Sequence, residues 1–477
     1  MTLLFLANVG LRDVTYQGNP LKPARPEGQA LLGRWPKVAS DLALPLLQPA
    51  LDHLRDSGHF PDRVVLCASD QPEGAGPHWE SDTLHCAELA KRLLCRRYHL
   101  DDSRVAVLRA SGRNPALYDE MYDFFRAELA RPKVCREATA CLVFPVGGTP
   151  AANATLLLAA VERFGAASDV LYLREGTASP VRLAVGRQFH LALLRGTLGG
   201  QLAHCQFAAA QATLAEMGFG PSSLPWALAE YCRRRLNFDF GGAGAALEGV
   251  FTAASPERRP LLDQATDEAR ALAAGTDEAL LLAELVHNTR HTYAAGAYVD
   301  FVARLVRLEE IAARLLAEKR LPPLSFQGDD AKSRERRGGQ IAAAPALRDY
   351  LAAQTVGSQP LRYDETNTVV LLYMLDYLCA EQAAQPPAWQ LSEAERQRLA
   401  AARDSLRRLE KLNQRRNRAT HGFGGMSEED IEELYGKPPL DLLVDVDRLL
   451  ELVTGAPRQP WLVEQLRDVV RELAADA

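Results

Sequence analysis

The sequence predicts an α/β plus all-α protein: an N-terminal domain built on a parallel sheet with helices on both faces, a helical connector, and a C-terminal helical domain. Three observations predict it. In the first third, short apolar runs at Thr2–Ala7, Arg63–Ala68, Arg104–Leu108, Ala140–Pro145 and Val170–Leu173 each end in a polar or glycine-containing loop. Most are followed by a longer helical pattern, the rhythm of βαβ units. From about Arg182 to Arg320 strand signals vanish and Ala-, Leu- and Arg-rich helical periodicity takes over. The length, 477 residues, exceeds a single core at about 150 residues per domain. The expected divisions are 1–181, 182–344 and 345–477.

Taken in order, the first run turns polar at Asn8 and has no basic residues ahead of it, so it reads as a strand rather than a signal peptide. In parallel sheets ligands gather at the carboxyl ends of strands. That directs attention to the loops Asn8–Asp13, Ser69–Gln71, Ser111–Pro115 and Val146–Pro150. In the last of these, Gly147 and Gly148 let the backbone come close to a ligand. Thr149 is placed to cap the next helix with Pro150 in its first turn, so that the free N–H groups of the helix start would hold a phosphate. A tight βα connection would use the same residues. In the helical middle, a long helix from about Asp277 to Lys319 is expected to break near Gly296. The charged stretch Gln327–Gln340 reads as a mobile loop or linker, and an apolar helix is expected over Thr366–Ala383. A further helix starts near Ser392, where Ser392 and Glu395 have the spacing of a capping box, and Gly422 stops it.

Composition removes several function classes. With 47% apolar and 24% charged residues the chain is near the average for globular proteins, which excludes long disordered or low-complexity architecture. No stretch approaches 18 uninterrupted apolar residues, so no membrane span is expected, and the protein is placed in the cytoplasm. Eight cysteines without a C-x-x-C pair argue against a zinc finger and for free buried thiols. A formal net charge of -6 excludes a protein that binds nucleic acid with its whole surface; any polyanion site must be local.

Such a place exists near the C-terminal end. Arg403, Arg407, Arg408, Lys411, Arg415, Arg416 and Arg418 crowd the helix from Ser392, against Asp404 and Glu410. Within it, Arg416, Asn417 and His421 stand as R-N-x-x-x-H. At ~100° per residue Asn417 and His421 lie about 40° apart on one helix face, with Arg416 flanking them. His421 falls in the last turn, where the macrodipole favours imidazolium, and the Arg416 fork suits a phosphate. A charge run alone is a solvated helix face; the register of these three residues favours phosphate chemistry.

R-N-x-x-x-H resembles the R-x4-6-H signature of HEPN-fold ribonucleases. The strand, Gly147-Gly148-Thr149 turn and helix resemble the glycine-threonine loop of CARF domains, the Rossmann-like sensors of CRISPR defence systems. Further matches run in order at the Gly10 loop, at Asp82-Thr83 and at Asn114-Pro115. A CARF-like sheet, a helical connector and a HEPN-like end together resemble the accessory ribonucleases of type III CRISPR systems, the Csm/Csx class, over nearly the whole chain. The resemblance implies a homodimer that binds one cyclic oligoadenylate across its two CARF domains and thereby activates metal-independent cleavage of single-stranded RNA at a composite HEPN site. The substrate 2′-hydroxyl would attack the adjacent phosphorus and leave a 2′,3′-cyclic phosphate. Carried over by position, Arg416, Asn417 and His421 would be catalytic. Asn8, Gly10, Arg12, Asp13, Ser69, Asp70, Gln71, Gly147, Gly148 and Thr149 would contact the activator. No metal, further cofactor or membrane partner is implied.

Other candidates read more plainly. His287 and His291 have zinc-like i, i+4 spacing, but no glutamate or third ligand accompanies them, so polar packing between helices is expected. His78 reads as a loop side chain within reach of an activator, and Tyr293, Tyr298 and Phe301 as packing residues. Two rival functions remain. A CARF-containing regulator without catalysis would need a winged-helix reader that the C-terminal third does not suggest. A HEPN toxin with an unrelated sheet would cleave RNA without heeding cyclic oligoadenylates.

Overall fold

A computed structural model describes the chain apart from residues 1, 76, 136, 175, 176, 178, 252, 253, 327, 329, 364–366, 381–384, 422–424 and 477. Of residues 75, 77 and 413–421 it describes the backbone alone. The chain divides into two compact units, Met1–Thr197 and Leu198–Ala477.

The first unit runs β1 (Leu3–Asn8), β2 (Thr15–Tyr16), β3 (Asn19–Pro20), α1 (Ala24–Gly33), β4 (Leu42–Ala43), α2 (Leu47–Asp56) and β5 (Arg63–Asp70). It continues with α3 (Pro77–Glu80), α4 (Leu84–Tyr98), β6 (Val105–Ser111), α5 (Tyr118–Leu129), α6 (Pro132–Cys135), β7 (Ala140–Phe144), α7 (Pro150–Phe164), β8 (Ser168–Tyr172) and β9 (Val181–Leu183). The main sheet has the order β6-β5-β1-β7-β8-β9. Its first five strands are parallel, with Leu6 opposite Val65 on one side and Val143 on the other, and β9 pairs antiparallel with β8.

Alternate residues of each run serve opposite faces. Phe5, Leu66 and Phe144 pack with Leu31 of α1, Leu51 of α2 and Leu89 of α4. Leu4, Leu6, Val65 and Val143 pack with Phe125 of α5 and Leu156 of α7. Burial on both faces is why these strands read as unbroken apolar runs rather than alternating ones.

Two features depart from the sequence reading. The small sheet β3-β2-β4 was not expected; it turns at Gln17 and Gly18, both at positive φ, in a segment whose strands are two residues long. β9 lies where strand signals end, and its three exposed residues carry no burial pattern.

α8 (Val185–Ala203) leads from the first unit into the second. Its first turns pack against the sheet domain, Gly186 against the Ser168 carbonyl and Phe189 and Leu193 beside Tyr118 and Leu158, so the first unit extends past residue 181. The second unit contains α9 (Phe207–Glu216), α10 (Leu224–Leu236), α11 (Phe240–Glu248), α12 (Arg259–Ala274), α13 (Glu278–Ala294) and α14 (Tyr298–Arg320). The expected break falls between the last two, with Gly296 at φ 69°. Then follow α15 (Ala331–Ala342), α16 (Pro345–Ala352), β10 (Thr355–Val356), β11 (Gln359–Pro360), α17 (Thr368–Cys379), α18 (Glu393–His421), α19 (Glu428–Tyr435), α20 (Pro439–Thr454) and α21 (Leu462–Ala475). One apolar core takes side chains from Leu282 to Val453, on both sides of residue 344.

The linker expected over 327–340 is instead largely α15. The Asp330 carboxylate accepts the Ser333 N–H at 3.0 Å, Arg337 is buried and donates to the Gly328 carbonyl at 2.7 Å, and Ile341 joins the core. Likewise β10 and β11 form a short hairpin, with Gly357 at φ 60°, in a region expected to be wholly helical.

Candidate functional site

Counted along the main sheet the strand order is 3-2-1-4-5-6, which reverses direction between β1 and β7. At such a switch point the loops on either side diverge and open a crevice. A cavity of about 330 Å³ lies there, lined by residues that follow β1, β5, β6 and β7.

Six of the ten predicted ligand residues line it: Asn8, Gly10, Ser69, Gln71, Gly148 and Thr149. Thr149 caps α7 by accepting the Ala152 N–H at 3.1 Å, and its hydroxyl donates to the Pro115 carbonyl. Asn8 donates from its carboxamide to Asn153 at 2.8 Å. Ser69 and Thr83 exchange hydrogen bonds, each backbone N–H to the other's hydroxyl at 3.2 Å, so the end of β5 is fastened to the start of α4. Gln71 donates from its N–H to the buried Asp82 carboxylate at 2.6 Å.

The other four lie outside the lining. Asp70 is held by Arg25 at 2.6 Å and Ser111 at 2.8 Å, and Arg12 is exposed in the turn after β1. Asp13 is fully buried and accepts the Gly10 N–H at 2.6 Å, which locks that turn. Burial pushes its carboxyl up to about 7, against the pull of the Gly10 N–H and the Arg12 charge. Gly147 packs directly on this carboxylate: a Cβ there would overlap Asp13 Oδ2 and the Asn8 carbonyl oxygen. A Cβ on Gly10 would overlap the Gly148 nitrogen. Asp13 and Gly147 therefore shape the cavity from behind it.

Sequence reasoning gave no ligand role to Ser81, Thr83, Asn114 or Pro115, which also line the cavity, as does His78. Asn114 and Pro115 lie in the strand-end loop after β6 already singled out, without a ligand role assigned to them. Ser81 and Thr83 stand just ahead of α4, where extending the strand-end rule to the helix start would have given them one. No lysine or arginine is among the described residues that line it. Besides side-chain donors such as Asn114 and Ser81, the walls offer an anion the backbone N–H groups at the starts of α4 and α7, two 15-residue helices beginning beside Thr83 and Thr149.

The second candidate region is α18. Ser392 and Glu395 form the expected capping box, with Glu395 accepting from Ser392 and its N–H donating to the Ser392 hydroxyl at 3.3 Å. Leu399, Ala402, Leu406, Leu409 and Leu412 face the core. The first part of the basic run is a structural ion network: Arg403 and Arg407 bind Asp376 of α17, and Arg408 approaches Asp445 of α20 at 3.7 Å. Opposite, Glu309 of α14 is fully buried with neither oxygen partnered. Burial pushes its carboxyl up to about 8, with Glu410 and Glu310 adding and Arg407 opposing. The helix continues unbroken through residues 416, 417 and 421, whose side chains lie outside the described residues.

His287 packs as expected. Its ring stacks on Trp461 at 5.5 Å, and burial together with Arg458, Arg235 and Arg290 pushes it down to about 3, so it is neutral. Tyr293 packs against Phe301 and Tyr298. No described helix is long and apolar enough to cross a membrane.

No family model matches the chain, and no curated protein matches it. Among solved structures it is similar to Enterococcus italicus Csm6 bound to cyclic hexa-2′-fluoro-hexa-dAMP, with a TM-score of 0.56 and 13% identity over 99% of this chain and 100% of that one. The chain has the fold of Csm6. The Csm6-like fold comprises both the α/β sheet unit and the helical unit, in the order the CARF-like and HEPN-like motifs predict.

Proposed function

We propose that the protein is a ribonuclease of type III CRISPR defence, activated by a cyclic oligoadenylate and acting in the cytoplasm as a homodimer. The observation that carries the reading is the end-to-end likeness to Csm6, whose solved structure holds a cyclic hexanucleotide analogue, joined to a switch-point cavity in the first unit and R-N-x-x-x-H at the end of α18. Described walls without lysine or arginine, together with helix N-termini, suit a ligand whose phosphates are spread around a ring rather than concentrated in a polyphosphate.

In this reading the activator occupies the cavity at Asn8, Gly10, Ser69, Gln71, Gly148 and Thr149 of each copy. Two α18 ends supply one RNA site. The RNA 2′-hydroxyl attacks the adjacent phosphorus, the bond to the 5′-oxygen breaks, and the products are a 2′,3′-cyclic phosphate and a free 5′-hydroxyl. His421 moves the proton, Arg416 stabilises charge on the phosphoryl oxygens, and Asn417 orients the phosphate. DNA lacks the nucleophile and is not cut.

The test mixes the protein with tri-, tetra- and hexa-adenylate rings and a fluorogenic RNA. One ring should raise cleavage by at least about 100-fold, EDTA should leave that rate unchanged, and His421→Ala should abolish it. Cleavage indifferent to every ring, or equal in the His421→Ala protein, refutes the assignment.

A further inference from the structure

The helical unit has a second cavity, larger than the one at the switch point and built from different chemistry. It measures about 660 Å³ and lies between the end of α14, α15, α16, α17 and the segment that enters α18. Pro322 and Pro323 supply flat apolar walls, and Tyr377 and Trp389 meet there edge to face with ring centroids 6.5 Å apart. No charged side chain is among the described residues that line it, which disfavours a phosphate or carboxylate inside it.

Its polar groups are incompletely used. Gln385 donates its Nε2–H to the Tyr377 carbonyl at 2.7 Å, and Gln340 donates to the Pro323 carbonyl at 2.9 Å. A carbonyl can only accept, so both carboxamides are fixed with nitrogen toward the backbone and oxygen away from it. Gln385 Oε1, Gln340 Oε1 and the Tyr377 hydroxyl are buried with no partner. Tyr377 and Gln385 are themselves more than nine-tenths buried. Two acceptors and a hydroxyl sealed beside an apolar, aromatic cavity are anomalous for a packed core, where such atoms are almost always paired. A ligand with a donor for a carboxamide oxygen and a ring acceptor for a phenol would pair them after small turns of these side chains.

We propose that this cavity binds an uncharged nucleobase, packed against Trp389 and the prolines and held by Tyr377, Gln385 and Gln340. A base has an aromatic face for the apolar walls and an edge that offers both donors and acceptors, and its charged phosphate can remain outside. The site is not the scissile-base subsite of the proposed ribonuclease. Glu393 and Arg416 are separated by about 35 Å along α18 at 1.5 Å per residue, and Trp389 precedes Glu393.

The full chain labelled with 5-fluorotryptophan, with the Trp389 resonance assigned through Trp389→Phe, tests this by fluorine NMR. The probes are the four ribonucleosides and, separately, a 2′-O-methyl oligonucleotide that cannot be cleaved by 2′-hydroxyl attack. A saturable shift of the Trp389 signal with a nucleoside at millimolar concentration or below supports a free base as ligand. A shift with the oligonucleotide alone supports a base presented by a nucleic acid. Tyr377→Phe, which deletes one oxygen, should weaken that binding about three- to tenfold, and Gln385→Leu similarly. No shift with any of these probes overturns the proposal, as does a response to an apolar probe such as toluene without one to nucleosides. Beyond the Trp389→Phe assignment, the wild-type readout does not depend on Tyr377→Phe or Gln385→Leu folding, nor on whether the protein cleaves RNA.

Discussion

At the scale of single residues, backbone crowding and burial do most to define the sheet-domain cavity. Gly147 has no room for a side chain, because Asp13 Oδ2 and the Asn8 carbonyl occupy the place of its Cβ. Gly147→Ala should therefore cost about 1–3 kcal/mol of stability, since well-packed sites absorb even one methyl group poorly. It should also weaken activator binding by displacing the turn; calorimetry and ligand titration of the variant check both. In the helical unit, Glu309 sets a pH dependence. Its carboxyl is raised from 4.5 to about 8, so between those values the unfolded chain has released a proton that the folded chain keeps. Stability from this group falls as pH rises through that window, by at most about 1.4 kcal/mol per pH unit, and is level above it. Asp13 acts in the same sense from 3.8 up to about 7. Glu309→Gln should thus gain melting temperature over the parent increasingly from pH 6 to pH 8. A constant difference across that range would show that Glu309 is already ionised in the fold.

At the scale of elements, α15 shows why charge-rich sequence misleads. Lys332, Arg334, Glu335 and Arg336 look like a linker because helical periodicity requires apolar spacing, and here only Ile341 supplies a buried apolar side chain while Arg337 does the rest. The helix depends on its start: Asp330→Ala removes the cap on Ser333 and should cost about 1 kcal/mol, seen as faster amide exchange across Ala331–Ala342 with exchange in α18 unchanged. The parallel strands were legible because both faces are buried, and α7 because Thr149 and Pro150 announce a helix start. β2, β3, β9, β10 and β11 were not, since two or three residues are too few for any period to register. The strand-end loops led to Asn8, Gly10, Ser69, Gln71, Gly148 and Thr149, which line the cavity. They could not distinguish Asp13 and Asp70, whose carboxylates turn inward to the Gly10 N–H and to Arg25. Nothing in the sequence separates a polar loop residue that meets a ligand from one that holds the loop.

At the scale of the whole molecule, the candidate sensing and cutting residues occupy different compact units, Asn8–Thr149 in one and Arg416–His421 in the other. Their losses should be separable. His421→Ala should bind a cyclic oligoadenylate as the parent does and cleave nothing, whereas Gly148→Val, whose side chain would meet Asn8, should lose response to the ring. Calorimetric binding measured beside RNA cleavage checks the pair. The short strand β9 has a consequence of another kind, for behaviour at high concentration. An open sheet edge offers unpaired N–H and C=O groups to any passing strand. β9 presents only three residues, follows Pro180, which has no N–H, and carries Arg182 at its centre, 3.5 Å from Asp169. A chain aligning there would gain few backbone bonds while crowding a hydrated guanidinium, so this edge resists fibril-like stacking and the sheet terminates itself.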